Sequence, residues 1–288
     1  LHPNDDVNKS QSTNDTFPAA IHISLVDEIN KQLLPAIQKL KDEFDLKSKQ
    51  WKKIIKIGRT HFQDAVPISF GQELSGWSRQ LEDAKVSIQN SANDLLDLPI
   101  GGTAVGTGIN CPPGFSEEAI KIINKDTNLS FNKSSNHYSL MASHHRLASL
   151  MSQIKNLSCS LFKISNDIKI LSSGPRAGIY ELLIPQNEPG SSIMPGKVNP
   201  TQCECLSMVC TQIMGFEYAV SIANFSGTLQ MNEFKPVIGF NILKSIDLIS
   251  GAINNFNSKL VIGMNPNINC IKKNLDNSLM LVTALVPE

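Results

Sequence analysis

Apolar residues recur along this chain at helical spacing. Leu147, Leu150, Ile154, Leu157, Leu161, Ile164, Ile168 and Leu171 follow one another in alternating steps of three and four. A period of about 3.5 residues is the seam of a helix packed into a bundle. Val26, Ile29, Leu33, Ile37, Leu40 and Phe44 predict a second helix. Pro35 lies inside it, removes one backbone donor and predicts a kink. Leu74, Trp77, Leu81, Ala84 and Ile88, continuing to Ala92 and Leu95, predict a third. The stretch 202–223 is apolar nearly all round (Cys203, Leu206, Val209, Cys210, Ile213, Met214, Phe216), so a fourth helix is expected to be buried on most sides. Ile238, Ile242, Ile246, Ile249, Ile253 and Phe256 predict a fifth.

Several of these helices carry more apolar face than one partner can cover. The expectation is an all-α, long-helix bundle that also packs against other subunits. No strand-like alternation of comparable length appears, and no internal repeat. Four glycine-rich and polar stretches, 1–17, 57–68, 100–114 and 172–201, read as loops. Function carried on loops of a rigid scaffold would sit there.

Composition narrows the classes. The 288 residues hold 26 Lys+Arg and 26 Asp+Glu, a balance that argues against a nucleic-acid binder and against an electrostatic membrane anchor. Apolar residues make up 41% and charged residues 18%, enough for a large core. No run of about 18 uncharged apolar residues appears, so no membrane span is expected, and no signal peptide is read at the start. Six cysteines, mostly inside apolar periodic stretches, read as reduced and buried. Cys203 and Cys205 lack Cys-x-x-Cys spacing and a matching histidine pair, so no metal site is expected.

The most informative loop contains Gly190-Ser191-Ser192-Ile193-Met194-Pro195-Gly196-Lys197-Val198-Asn199-Pro200. A lysine charge beside a planar amide makes a receptor for a carboxylate. A serine there becomes a base only where surrounding donors lower its pKa. By composition alone, a plain Gly/Ser/Pro linker is an equal reading.

Gly190 to Asn199 resembles the signature loop of the fumarase/aspartase superfamily. Three further segments resemble the family in the same order. They are His2-Pro3-Asn4-Asp5-Asp6-Val7-Asn8 with Ser10-Gln11-Ser12-Thr13-Asn14-Asp15, then Gly58-Arg59-Thr60-His61-Phe62-Gln63-Asp64-Ala65, then Gly101-Gly102-Thr103-Ala104-Val105-Gly106-Thr107-Gly108. The resemblance covers essentially the whole chain and displaces the linker reading. Histidine after Thr60, Pro189-Gly190 before the serines, and Thr201-Gln202-Cys203-Glu204 after the loop are similar to the class II fumarases, whereas aspartases typically carry Gln at the place of His61.

The resemblance implies the activity and the roles. The activity is reversible hydration of fumarate to (S)-malate through an aci-carboxylate intermediate. Ser191 is implied as the base that takes the C–H proton, with Ser192 the alternative. His61, paired with Glu204, is implied to handle the departing hydroxyl or its water. Thr60, Lys197, Asn199 and Asn14, with Thr13 and Ser12, are implied to bind the substrate carboxylates. His2, Asn4 and Asp5 resemble a second, non-catalytic carboxylate site. No cofactor is implied. The partners implied are a small dicarboxylate substrate and three further copies in a homotetramer with shared active sites, with neither nucleic acid nor membrane. Residues 1–262 are expected to form the central helical-bundle domain, with no counterpart of the family's N-terminal domain before residue 1. Residues 263–288 are expected to begin a truncated C-terminal region. The implied location is the cytoplasm, or the mitochondrial matrix in a eukaryote.

Each residue type also has an ordinary structural use. A lone histidine such as His61 commonly serves as a hydrogen-bonder. Glu204 in an apolar helix either pairs or faces solvent. Asn4 and Asp5 can cap backbone amides at a helix entry. His144 and His145 read as partly buried helical histidines, Arg176 as structural, and Lys235 as either a structural ion pair or a substrate contact. Two other functions stay open: aspartase-type ammonia elimination, and a catalytically silent scaffold like the lens crystallins related to argininosuccinate lyase.

Overall fold

The computed structural model describes residues 1–190, 193–280 and 282, and the side chains of all of these except 4 and 5. In chain order the helices are α1 (Thr13–Glu28), α2 (Leu34–Gln50), α3 (Phe70–Asn93), α4 (Phe115–Thr127), α5 (His137–Ala142), α6 (His145–Leu171), α7 (Thr201–Phe225), α8 (Lys235–Phe256) and α9 (Ile268–Asn277). The strands are short: β1 (Ile55–Thr60), β2 (Gln63–Ser69), β3 (Asp97–Leu98), β4 (Asn132–Lys133), β5 (Leu182–Leu183) and β6 (Asn265–Pro266). Each strand pairs with one other, giving β1–β2 and β5–β6 antiparallel and β3–β4 parallel. The fold is the all-α bundle expected.

The chain divides into two compact units, each assembled from three stretches. The first comprises Leu1–Pro35, Ala84–Asn156 and Thr211–Leu248. Its interior holds Leu25, Ile29 and Leu33 with Leu95, Leu98, Met141, Leu147, Leu150, Ile154, Ile213, Val220, Ile238 and Ile246, all inaccessible to solvent. The second comprises Ala36–Asp83, Leu157–Cys210 and Ile249–Glu288. Its interior holds Ile37, Leu40, Phe44, Phe70, Leu74, Trp77, Leu157, Leu161, Ile164, Ile168, Cys203, Ile253 and Val261. Phe44 meets Trp77 edge-on, with ring centroids 5.6 Å apart. Burying side chains of this size yields about 1.5–3 kcal/mol each before entropy is counted. All eight positions of the 3.5-residue seam are buried, as their spacing predicts.

Of the six cysteines expected to be buried, only Cys203 and Cys210 are, and Cys159 is exposed; the elements depart from expectation in four further places. The stretch 1–17 is not all loop: Ser12 caps α1, which begins at Thr13 and runs through Pro18. The irregularity expected at Pro35 takes the form of a π-type turn, Ile29–Leu33, just ahead of it. The stretch 57–68 is a β-hairpin. Its burial does not alternate residue by residue, so a period-2 signal was absent.

The fourth departure is α7. Within this chain one side of α7 is uncovered, and Met208, Tyr218 and Phe225 are 67%, 69% and 77% exposed. Expected burial on most sides is not reached by this chain's own partners. Thr201–Phe225 and Lys235–Val261 are also long and apolar enough to cross a membrane, each with mean hydropathy 1.3. Charged residues inside them, including Glu204, Glu217, Lys244 and Asp247, break any uncharged run, which is why the sequence reading passed over them. The buried side of a bundle helix has the same length and hydropathy.

Candidate active site

In the first unit, a capping box starts α1. Ser12 Oγ accepts the Asn14 N–H at 3.2 Å, and Asp15 Oδ1 accepts the Ser12 N–H at 3.0 Å. Two orphan donors of the first turn are thereby satisfied. The other oxygen of Asp15 reaches a distant loop, accepting the N–H groups of Gly101 at 3.2 Å and Thr103 at 2.9 Å. Asp15 is fully buried. Gly101 must be glycine: its φ is +88°, and a Cβ there would lie 2.0 Å from Ser116 Oγ. Asn14 is half-buried and donates its side-chain amide to Ala104 O at 2.8 Å. Thr13 is exposed at the first helical position. His2 is exposed ahead of a π-type turn, Pro3–Val7, and its backbone N–H donates to Asp6 Oδ2 at 2.7 Å. The side chains of Asn4 and Asp5 lie outside the described residues.

In the second unit, β1 and β2 pair with a register shift between Ile57 and Arg59 and close at Thr60 opposite Gln63, so His61 and Phe62 alone form the turn. Their φ values are +54° and +60°. Two left-handed residues in a two-residue hairpin turn mark the type I′ geometry, which ordinarily selects Asn and Gly. An imidazole and a benzyl side chain there are both strained, and both are exposed at the tip together with Thr60.

The strand that leads into this turn is anchored by buried charge. Arg59 donates two parallel hydrogen bonds to Glu181, at 2.7 and 3.0 Å. Asn274 on α9 adds a third at 3.0 Å. Lys56 lies 3.6 Å from the same carboxylate and 3.3 Å from Glu73. Burial alone would push the Glu181 carboxyl up, but the hydrogen bonds from Arg59 and Asn274 and the nearby cations outweigh it and hold its pKa below the ordinary value. For Glu73 burial wins, and its pKa is raised despite Lys56. A cleft of about 290 Å³ opens here, lined by Lys56, Arg59, His61, Phe62, Glu73, Lys163, Asp167 and three apolar residues.

The signature loop lies elsewhere in the second unit. Gly196 is left-handed at φ +76°, and the Lys197 N–H donates to Met194 O at 3.3 Å. Lys197 and Asn199 are exposed, and Lys197 lines a separate cleft of about 270 Å³ with Gln186, Gly190, Met194, Gly196 and Val198. Ser191 and Ser192 lie outside the described residues. Glu188 accepts from the Thr201 hydroxyl at 2.5 Å where α7 begins. Glu204 is exposed in the first turn of α7. Among the described residues neither the His61 imidazole nor the Glu204 carboxylate has a hydrogen-bond or ion-pair partner, so the expected pair is not made inside one chain. Cys203 is buried and its thiol is pushed up to about 12 by that burial, which leaves it protonated and a poor ligand.

Residues 1–215 match the family model described as Lyase. The chain belongs to this lyase family. Over all 288 residues it is 72% identical to a class II fumarate hydratase of Prochlorococcus marinus subsp. pastoris, spanning 62% of that relative. It superimposes on a crystal structure of recombinant class II fumarase from Schistosoma mansoni with a TM-score of 0.97 at 42% identity, covering all of this chain and 63% of that one. A fumarate lyase:delta crystallin from Brucella melitensis matches with a TM-score of 0.96 at 38% identity, with 62% of its chain covered. The chain thus spans somewhat under two thirds of the proteins it matches.

The sequence reading overlooked Asp15 and Glu181. Ser12-x-x-Asp15 has the spacing of a capping box, so half of the Asp15 role was visible. Nothing local to Glu181 signals its partners, because Arg59 lies 122 residues away.

Proposed function

We propose that this chain is the central portion of a class II fumarate hydratase, an enzyme interconverting fumarate and (S)-malate by anti addition and elimination of water. The observation that carries this reading is 72% identity, over every residue of the chain, to a protein of that name. Retention of Thr60, His61, Ser191, Lys197, Asn199 and Glu204 together supports it.

In this reading Ser191 removes the proton beside the malate carboxylate. The resulting charge spreads into that carboxylate as an aci-form. Lys197 and Asn199, with Thr60 and Asn14, grip it more tightly in the transition state than in the ground state. His61 and Glu204 act on the departing hydroxyl: a carboxylate beside the imidazole fixes its tautomer and suits it to acid–base work near neutral pH. Thr13 and Ser12 complete the carboxylate contacts, and His2, Asn4 and Asp5 form a secondary carboxylate site. The chemistry requires no cofactor.

The site is proposed to be completed between copies in a homotetramer. Two observations support this: His61, Glu204, Lys197 and Asn199 all face solvent in one chain, and α7 presents an uncovered apolar side. The proposed location is the cytoplasm, or the mitochondrial matrix in a eukaryotic host.

The test is a side-by-side assay of the assembled enzyme on malate and aspartate, with and without Ser191→Ala. Turnover of malate and not aspartate is expected, with kcat lowered by at least about 10²-fold in the variant. Turnover of aspartate alone would overturn the hydratase reading, and unchanged kcat would remove Ser191 as the base.

A further inference from the structure

The hairpin that carries His61 is an improbable place for a precisely aimed side chain. Its two turn residues are both left-handed and neither is Gly or Asn. Each such residue costs of order 1–3 kcal/mol and persists only where the surroundings over-determine it. The surroundings here converge on one fully buried carboxylate. Glu181 accepts two guanidinium hydrogen bonds from Arg59, two residues before His61, and one from Asn274 on α9. Its own backbone carbonyl accepts the Asn267 N–H at 2.9 Å, just ahead of α9. On the far strand, Asp64 accepts from the Ser278 hydroxyl at 2.9 Å, just past α9. Both strands are therefore tied, within two or three residues of the tip, to α9 and its flanks, one of them through Glu181. The same Glu181 opens the segment that leads through β5 to the signature loop.

We propose that Glu181 is a positioning residue which, by clamping Arg59 and α9 together, fixes the strained turn that presents His61. This rests on the reading of His61 as the imidazole of a hydratase site. The fork matters as well as the charge: two parallel bonds set the angle of the Arg59 strand, which a single point contact cannot do.

The experiment compares Glu181→Asp, Arg59→Lys and Asn274→Ala with Ile253→Val, a core change in the same unit that lowers stability by about 1 kcal/mol without touching the hairpin. The assembled enzyme is used throughout. Glu181→Gln is not used, because Lys56 and Arg59 left with less counter-charge can prevent folding. The first readout is amide exchange of the segment 55–69, which needs no activity. Exchange is expected to quicken about tenfold in Glu181→Asp and Arg59→Lys, less in Asn274→Ala, and not at all in Ile253→Val. The second readout is malate dehydration, with kcat expected to fall about tenfold and KM to stay within about threefold. Exchange at the parental rate in both clamp variants would overturn the proposal whatever the activity. Faster exchange with parental kcat would also overturn it, by reducing the clamp to a purely structural one. A parent enzyme inactive on malate would instead overturn the hydratase reading, leaving the exchange result to decide whether the clamp exists.

Discussion

Two loops in this molecule are each held by one buried carboxylate, and the two carboxylates work differently. Asp15 in the first unit accepts only backbone N–H groups, from Ser12, Gly101 and Thr103. The Glu181 carboxylate in the second accepts, among the described residues, from the side chains of Arg59 and Asn274, with Lys56 close by. A carboxylate fed by backbone donors fixes the path of a loop without contacting the side chains upon it. One fed by a guanidinium fork fixes the direction of a strand and depends on the identity of its partner. The glycine loop and the His61 hairpin are accordingly rigid for different reasons.

The sharpest way to break this comparison is to remove Asp15. Asp15→Ala leaves three donors without their acceptor, two of them in a distant loop, and is expected to cost roughly 3–5 kcal/mol in a denaturant titration. A loss under about 1 kcal/mol would mean that the loop holds its path without the carboxylate. Next in size is Gly101→Ala. A left-handed alanine facing Ser116 Oγ is expected to cost about 2–3 kcal/mol by the same measurement. Little loss there would assign the loop conformation to Asp15 alone.

The smallest effect separates the units by pH. His22 is buried with its Nδ1 3.1 Å from the carbonyls of Leu95 and Asp97, and burial lowers its pKa from 6.5 to about 4. His144 is likewise buried and lowered to about 4. Unfolded chain therefore takes up protons below pH 6.5 while the folded first unit does not until about pH 4, so stability is full above 6.5 and falls between the two values. Glu181 has a lowered folded pKa, so its contribution is present above its ordinary value of 4.5 and is lost only as pH falls through the folded one. Amide exchange at pH 5 is expected to rise by about tenfold or more around His22 and to stay at its neutral-pH level, corrected for intrinsic rate, in the hairpin. Equal opening of both would refute the assignment.

Much of this was readable beforehand. The seam from Leu147 to Leu171 is a local period, and a helix needs nothing more than that to declare its buried face. The signature loop and the Thr60-His61 pair were legible as motifs. The hairpin was not, because its burial lacks alternation and its turn uses His and Phe where turn chemistry favours Asn and Gly. Which side of α7 stays uncovered within one chain was not legible, because composition states how much apolar surface a helix has, and not which neighbours are present to cover it.

Five long helices and the kinship with lyases were fixed by local sequence, since each depends on residues a few positions apart or on an unbroken motif. Tertiary structure alone decided that Asp15 would hold Gly101 and that Glu181 would hold Arg59. Those pairs join positions 86 and 122 residues apart. Electrostatic attraction and hydrogen bonding act over a few ångströms of space, and no local pattern in the chain records which distant residues folding will bring within that range.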